Sequence, residues 1–238
     1  MTRTLRDILA EFVEKPPGSV AMSIIHMSDA TERLPIIEAL QGGIGPVEHF
    51  EAIRDVKDHP TKCATEPGKV RSAGEIGCLL SHIGAMRKAL AERKTYLCVF
   101  EDDCALGPRF SLDAIEIYLR EVKEIAKRYS LVGTDDFLLL GSCGSYNVRP
   151  ITDKVNATNQ FNGMHCYFIG RAMMEKVIGS YEHLLKNNVV FPIDGLLGLV
   201  LRAQHRWALC PEDEKGFFLQ NRDVPSYVLH DGNEPRRE

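Results

Sequence analysis

Residues 96–103 read Tyr96-Leu97-Cys98-Val99-Phe100-Glu101-Asp102-Asp103: five residues suited to a buried strand, then three carboxylates. An apolar strand stops where water begins. The acids therefore stand at the carboxyl edge of a sheet, the edge where open α/β sheets bind ligands. Adjacent carboxylates repel one another by ~1–4 kcal/mol per near pair at surface-like dielectric. A divalent cation relieves that repulsion, and Mg²⁺ or Mn²⁺ prefers carboxylate oxygen and leaves room for phosphate. The competing reading is a solvated acidic turn.

On the N-terminal side of this stretch, residues 73–93 have the spacing of a helix whose inner face is Ile76, Leu79, Leu80, Ile83, Met86 and Leu90. Gly77 and Ser81 share one side of it, and Cys78 and His82 another, each pair four residues apart. The small pair permits close approach of another backbone. His82 can orient a carboxylate, touch a ligand, or be a core histidine with one hydrogen bond. No second Cys/His pair in the sequence completes a zinc site with Cys78 and His82.

Farther back, residues 20–27 form an apolar run. Ser28-Asp29 offers a helix cap, Pro35 suits a first helical turn, and Gly42-Gly43 closes that helix. Residues 47–53 read as a second strand. Strands alternating with helices imply a mainly parallel sheet flanked by helices, an α/β fold. Arg33 falls just past the first strand, where its forked guanidinium can grip a phosphate; the alternative is a surface arginine paired with Glu32 or Glu38.

Beyond the acids the periodicity predicts a helix over 111–129, a short strand over 137–140 and a flexible small-residue loop over 141–145. Residues 146–160 read as irregular, 161–169 as a strand and 171–186 as a helix. Asp194 lies inside an apolar segment, so it must be paired, metal-bound or raised in pKa. It can also cap a helix that starts at Gly195. Short strands are expected over 207–210 and 217–219, and a polar tail carries His230-Asp231.

The 238 residues fit one large domain, long enough to bury ~70% of its surface unaided. Residues 1–18, with the stripe Leu5, Ile8, Leu9, Phe12 and Val13, read as an amphipathic helical extension; residues 19–238 read as the single main domain. The stripe packs on that domain or on a second copy. A net charge of −4 with no basic block argues against a nucleic-acid partner. Seven cysteines without a C-x-x-C pair point to reduced, mostly buried thiols in a cytoplasmic protein. No apolar run is long enough to span a membrane, and no signal-type apolar core opens the chain. Peripheral contact at the inner membrane face and the oligomeric state are left open by the sequence.

Three stretches together carry a resemblance: Ile24-Ile25-His26 through Glu32-Arg33; Gly74-Glu75-Ile76-Gly77-Cys78-Leu79-Leu80-Ser81-His82; and Val99-Phe100-Glu101-Asp102-Asp103. They resemble glycosyltransferase family 25, which holds lipooligosaccharide and procollagen galactosyltransferases. Pro192-Ile193-Asp194 and Gln220 followed by Ser226 agree, so the likeness runs over roughly residues 20–227. Departures are His26-Met27 where the family has Asn-Leu, and Ala52-Ile53-Arg54-Asp55 where it has Ala-Val-Asp-Gly.

The resemblance implies a GT-A-like fold, a UDP-sugar donor, Mn²⁺ or Mg²⁺, a saccharide or glycoconjugate acceptor, and inverting transfer, galactose being the leading sugar. Glu101-Asp102-Asp103 then stands where GT-A enzymes carry Asp-x-Asp. Asp103 and Asp102 are set toward the metal, with His230 as a third ligand. Glu101 and Asp102 are set toward the ribose, with His26, Arg33, Ser81 and His82 around the donor. Asp194 is the expected general base, with Asp213 or Glu212 as the fallback. Two other readings stay open: a metal-dependent phosphatase or phosphotransferase, which needs an aspartate nucleophile where Glu101 stands, and a non-catalytic nucleotide-sugar-binding relative.

Overall fold

The computed structural model describes residues 3–63, 70–129, 136–212 and 216–224. In chain order its elements are α1 (Leu5–Phe12), β1 (Val20–His26), α2 (Leu34–Ile44), β2 (Glu48–Glu51), α3 (Ala73–Ala91), β3 (Tyr96–Glu101), β4 (Cys104–Leu106), α4 (Leu112–Tyr129), β5 (Phe137–Tyr146), β6 (Arg149–Pro150), β7 (Val155–Thr158), β8 (Gln160–Gly170), α5 (Arg171–Lys186), α6 (Ile193–Ala203), β9 (Ala208–Pro211) and β10 (Phe218–Gln220).

Eight strands form one sheet in the order β2-β1-β3-β8-β5-β9-β7-β6. The pairs β1–β2, β1–β3 and β5–β9 are parallel, while β8 opposes both β3 and β5, and β7 opposes β9 and β6. Only β8 and β7 thus run against the common direction, as expected for a mainly parallel sheet. Alternation along the strands splits the core in two. Cys98 and Phe100 face α1, α2 and α4 with Met22, Ile24 and Phe168. Leu97 and Val99 face α3, α5 and α6 with Ala21, Ile25 and Tyr167. Strands covered on both faces read as unbroken apolar runs, which is why β1 and β3 are plain in the sequence.

The N-terminal stripe belongs to the first core: Leu5, Ile8, Leu9 and Phe12 are buried, and Arg3 and Lys123 tie α1 to α4 through Glu116 and Glu14. Thr4 and Asp7 form a capping box at its start. The same device, Ser72 with Glu75, starts α3.

Four local expectations need correction. Ser28 and Asp29 do not cap α2; the Ser28 hydroxyl donates to Glu51, and Asp29 pairs with Arg54. A short 3-10 turn over Thr31–Arg33 intervenes, and α2 runs on through the two glycines to end at Gly45, whose φ of 93° suits its missing Cβ. The 141–145 segment is no loop but a continuation of β5, paired to β8 with register shifts at Gly141. Small residues there admit close neighbours: a Cβ on Gly141 would lie 2.7 Å from the Phe218 carbonyl. The irregular 146–160 stretch holds the edge strand β6 and its neighbour β7. None of the seven cysteines is in a disulfide, and most of them are buried. Among the described residues no helix is long and apolar enough to cross a membrane.

Candidate active site

Strand alternation sends neighbouring acids in different directions. Glu101 follows Leu97 and Val99 on the α3 face. There its Oε1 accepts from His82 Nε2 at 3.1 Å and from Cys78 Sγ at 3.7 Å. Tyr167, reaching in from β8, donates its hydroxyl to His82 Nδ1 at 2.9 Å. His82 is therefore a buried histidine with both ring nitrogens engaged, one of them on an acid of the cluster.

Asp102 and Asp103 form the turn between β3 and β4. His26, the last residue of β1, donates Nδ1 to Asp102 Oδ2 at 3.2 Å. Arg33 is 1% exposed; its Nη1 lies 3.5 Å from Asp102 Oδ1 and 3.6 Å from Asp103 Oδ2. It is thus a buried arginine of the site and not a surface one. Placed there, the guanidinium steadies the two carboxylates from behind.

Asp103 is 8% exposed. Its Oδ2 accepts from Gln220 Nε2 at 3.1 Å, and the Gln220 amide is fixed in turn by the Cys143 thiol donating to its Oε1. Its Oδ1 is buried and has no hydrogen-bond partner among the described residues. Burial first, then the Glu101 charge, push this carboxyl up to about 7, against the pull of Gln220 and Arg33. An open carboxylate oxygen in that setting suits a cation.

All three acids line a cavity of about 300 Å³ between the ends of β1 and β3 and the start of α3. Its outer wall is the 52–54 segment after β2. The Ile53 N–H donates to Ser81 Oγ at 2.8 Å, and Ser81 donates onward to the Gly77 carbonyl at 2.7 Å. A Cβ on Gly77 would lie 2.6 Å from the Ile53 carbonyl oxygen, so only glycine lets this wall lie against the helix. Ser81 thus acts on the cavity through the wall it holds. Arg54 in the same wall pairs with Asp29 at the surface.

Asp194 lies in the first turn of α6, whose N-cap is Pro192, so it is not the cap that a helix start at Gly195 implied. Its two oxygens accept from the Gly195 and Gly163 amides at 2.7 and 3.2 Å. Burial raises its pKa against those two bonds, with Glu101 adding a smaller push. Glu212 is exposed at the end of β9. Asp213 and His230 lie outside the described residues. Two partners escaped the sequence reading. Tyr167 is one more aromatic residue in an apolar strand. Gln220 carries no charge to draw notice, although it was part of the family likeness.

These elements make an α/β fold, a mainly parallel sheet flanked by helices, with the acids at the carboxyl end of β3 beside the cavity. The model of glycosyltransferase family 25, described as LPS biosynthesis protein, matches residues 21–197, and the chain belongs to that family. It is therefore a glycosyltransferase by family, with a sugar donor and an acceptor. No curated protein gives a match. Among solved structures, a mannose-1-phosphate geranyltransferase from Thermus thermophilus is 11% identical over 75% of this chain and 67% of its own, with a TM-score of 0.38. A197 from STIV is 14% identical over 89% and 98%, at 0.41. A UDP-glucose pyrophosphorylase complexed with UDP-glucose is 10% identical over 87% and 79%, at 0.38. Likenesses this distant say nothing of substrate.

Proposed function

We propose that this chain is a metal-dependent, inverting glycosyltransferase that moves a sugar, galactose foremost, from a UDP-sugar to a saccharide or glycoconjugate acceptor. The observation that carries the reading is the buried Oδ1 of Asp103, without a hydrogen-bond partner among the described residues, beside Asp102 in the cavity lining. Two carboxylates in an oxygen-only donor set suit Mg²⁺ or Mn²⁺, which takes one or two protein carboxylates and completes its shell with water and phosphate. Asp103 and Asp102 would hold it. When bound, such an ion supplies Lewis-acid neutralisation of the departing nucleotide.

The remaining roles belong to the chain's own side chains. Arg33 and His26 fix the Asp102 and Asp103 carboxylates. Glu101, oriented by His82, faces the cavity for the donor's ribose. Ser81 holds the wall that the nucleotide lies against. In-line displacement needs a base at the acceptor hydroxyl, and Asp194 takes that proton. Its raised pKa makes it a stronger base than an ordinary carboxylate, and its two backbone hydrogen bonds fix its direction. Asp213 is the fallback base, and His230 the further metal ligand. Residues 19–238 act as one catalytic domain, with 1–18 as its packed extension. The LPS description of the family favours an acceptor reached from the cytoplasm at the inner membrane face.

The test is release of UDP from a panel of UDP-sugars, with Mn²⁺ and a saccharide acceptor present. Turnover of one donor that disappears with a chelator and in Asp103→Ala supports the reading. Equal turnover in Asp103→Ala, or release of phosphate from a simple aryl phosphate instead, rejects it.

A further inference from the structure

One cluster in the cavity joins three different kinds of donor atom. We propose that Cys78 Sγ, His82 Nε2 and Glu101 Oε1 form a site for a thiophilic divalent cation, Zn²⁺ above all, on the α3 wall. The three atoms lie within 4.8 Å of one another. Two of the spacings, 3.7 Å from Cys78 Sγ to Glu101 Oε1 and 3.1 Å from His82 Nε2 to the same oxygen, approach the edges of a zinc tetrahedron. Zinc bonds of ~2.0–2.3 Å set neighbouring ligand atoms roughly 3.3–3.7 Å apart. The third spacing, from Cys78 Sγ to His82 Nε2, stays within 4.8 Å, and a bound ion would have to draw it in. Two ligands sit one turn apart on a long helix and the third ends a buried strand, so no ligand rides on a loop. All three residues line the cavity, which leaves a fourth position open to water or a ligand atom.

A ring nitrogen that binds a metal needs its partner nitrogen protonated and held. Tyr167 Oη stands 2.9 Å from His82 Nδ1, and a hydroxyl accepts as readily as it donates. On binding, the His82 proton sits on Nδ1 toward Tyr167, and the Cys78 S–H proton leaves to solvent as sulfur bonds the metal. Glu101 exchanges two hydrogen bonds for one metal bond. Sulfur and nitrogen favour zinc over the harder Mg²⁺ and Mn²⁺, which the oxygen pair Asp102–Asp103 suits. The site is thus chemically separate from that pair, and it holds whichever sugar nucleotide the cavity takes.

Titration of the metal-stripped full chain with Co²⁺, the spectroscopic stand-in for Zn²⁺, tests this. The expected result is a near-ultraviolet thiolate-to-cobalt band that saturates at one equivalent. Equimolar Zn²⁺ should abolish it, and excess Mg²⁺ should leave it unchanged. Cys78→Ser should remove the band, whereas Cys143→Ser, at an exposed thiol, should keep it. Tyr167→Phe should weaken binding about 10–100-fold, as loss of a ligand's outer partner does. X-ray absorption on the Zn²⁺-loaded wild type needs no variant and should find a single sulfur in the first coordination sphere. A band that persists in Cys78→Ser, no band in the wild type, or a sulfur count other than one overturns the proposal.

Discussion

Glu101 and Asp103 are two residues apart and live in opposite worlds. Glu101 points toward α3, where His82 and Cys78 satisfy it. Asp103 points toward Arg33 and Gln220, keeps one buried oxygen without a hydrogen bond among the described residues, and has its pKa pushed up to about 7. The sequence shows three equivalent acids; the turn after the strand, which takes Asp103 off the face that Glu101 occupies, makes them unequal. The lesson is that an acidic run at a strand end divides by direction, one acid meeting the side chains of α3 and another keeping a buried oxygen with no hydrogen bond among the described residues.

The largest effect should come from removing Asp103, the acid proposed to hold the metal. Asp103→Ala should lower kcat/KM by ~10³-fold, the scale of several kcal/mol of lost charge stabilisation at the leaving group. Glu101→Gln should lose only about tenfold, on the scale of one modest hydrogen bond. Equal losses in UDP-release kinetics would erase the contrast between the two acids. Asp194→Asn comes next. It should lower kcat by ~10²-fold or more, as loss of a general base does, with donor KM unchanged.

A subtler test uses pH without metal. The folded-state pKa of Asp103 lies above its ordinary value of 3.8, at about 7. The native protein then holds a proton that the unfolded chain releases. Stability from this group is greatest below pH 4 and falls as pH rises from about 4 to about 7. Asp103→Asn should flatten that slope and raise the melting temperature at pH 8 by a few degrees, at roughly 2–4 °C per kcal/mol for a chain this size. Glu101→Gln removes only the smaller of the two pushes on Asp103, so its rise should be the smaller of the two. A melting curve of Asp103→Asn that keeps the wild-type slope would show that the strained acid lies elsewhere. Smallest of all, Ser81→Ala should cost about 1 kcal/mol, the size of one ordinary hydrogen bond. Its effect should appear in donor KM rather than kcat, since Ser81 holds the 52–54 wall by way of the Ile53 amide.

Most of what positions the site was legible. The run 96–103 announced both the strand and its acidic end, because a strand buried on both faces leaves an unbroken apolar signal. The α3 spacing showed that Cys78 and His82 share a side, but not that Glu101 meets them. That contact depends on how β3 lies against α3, a nonlocal fact with no local signature. The same is true of Tyr167 opposite His82, and of Gln220, brought to Asp103 by the β10–β4 pairing. The segment 141–145 misled for a different reason. Its glycines and serines favour turns locally, yet pairing with β8 overrides that preference, and the glycines serve tight packing instead. Asp194 stands out in the sequence as an acid in apolar company, but its amide partners come from α6 itself and from distant Gly163.

The bare α-carbon at position 77 has a consequence for selectivity. Helix and wall touch backbone to backbone there, so the breadth of the cleft is gauged by a hydrogen atom instead of an adjustable side chain. One added methyl group would meet the Ile53 oxygen at 2.6 Å and push the 52–54 segment outward as a unit. The change would register as a different roster of molecules that fit, while both cores on either side of the sheet stayed intact.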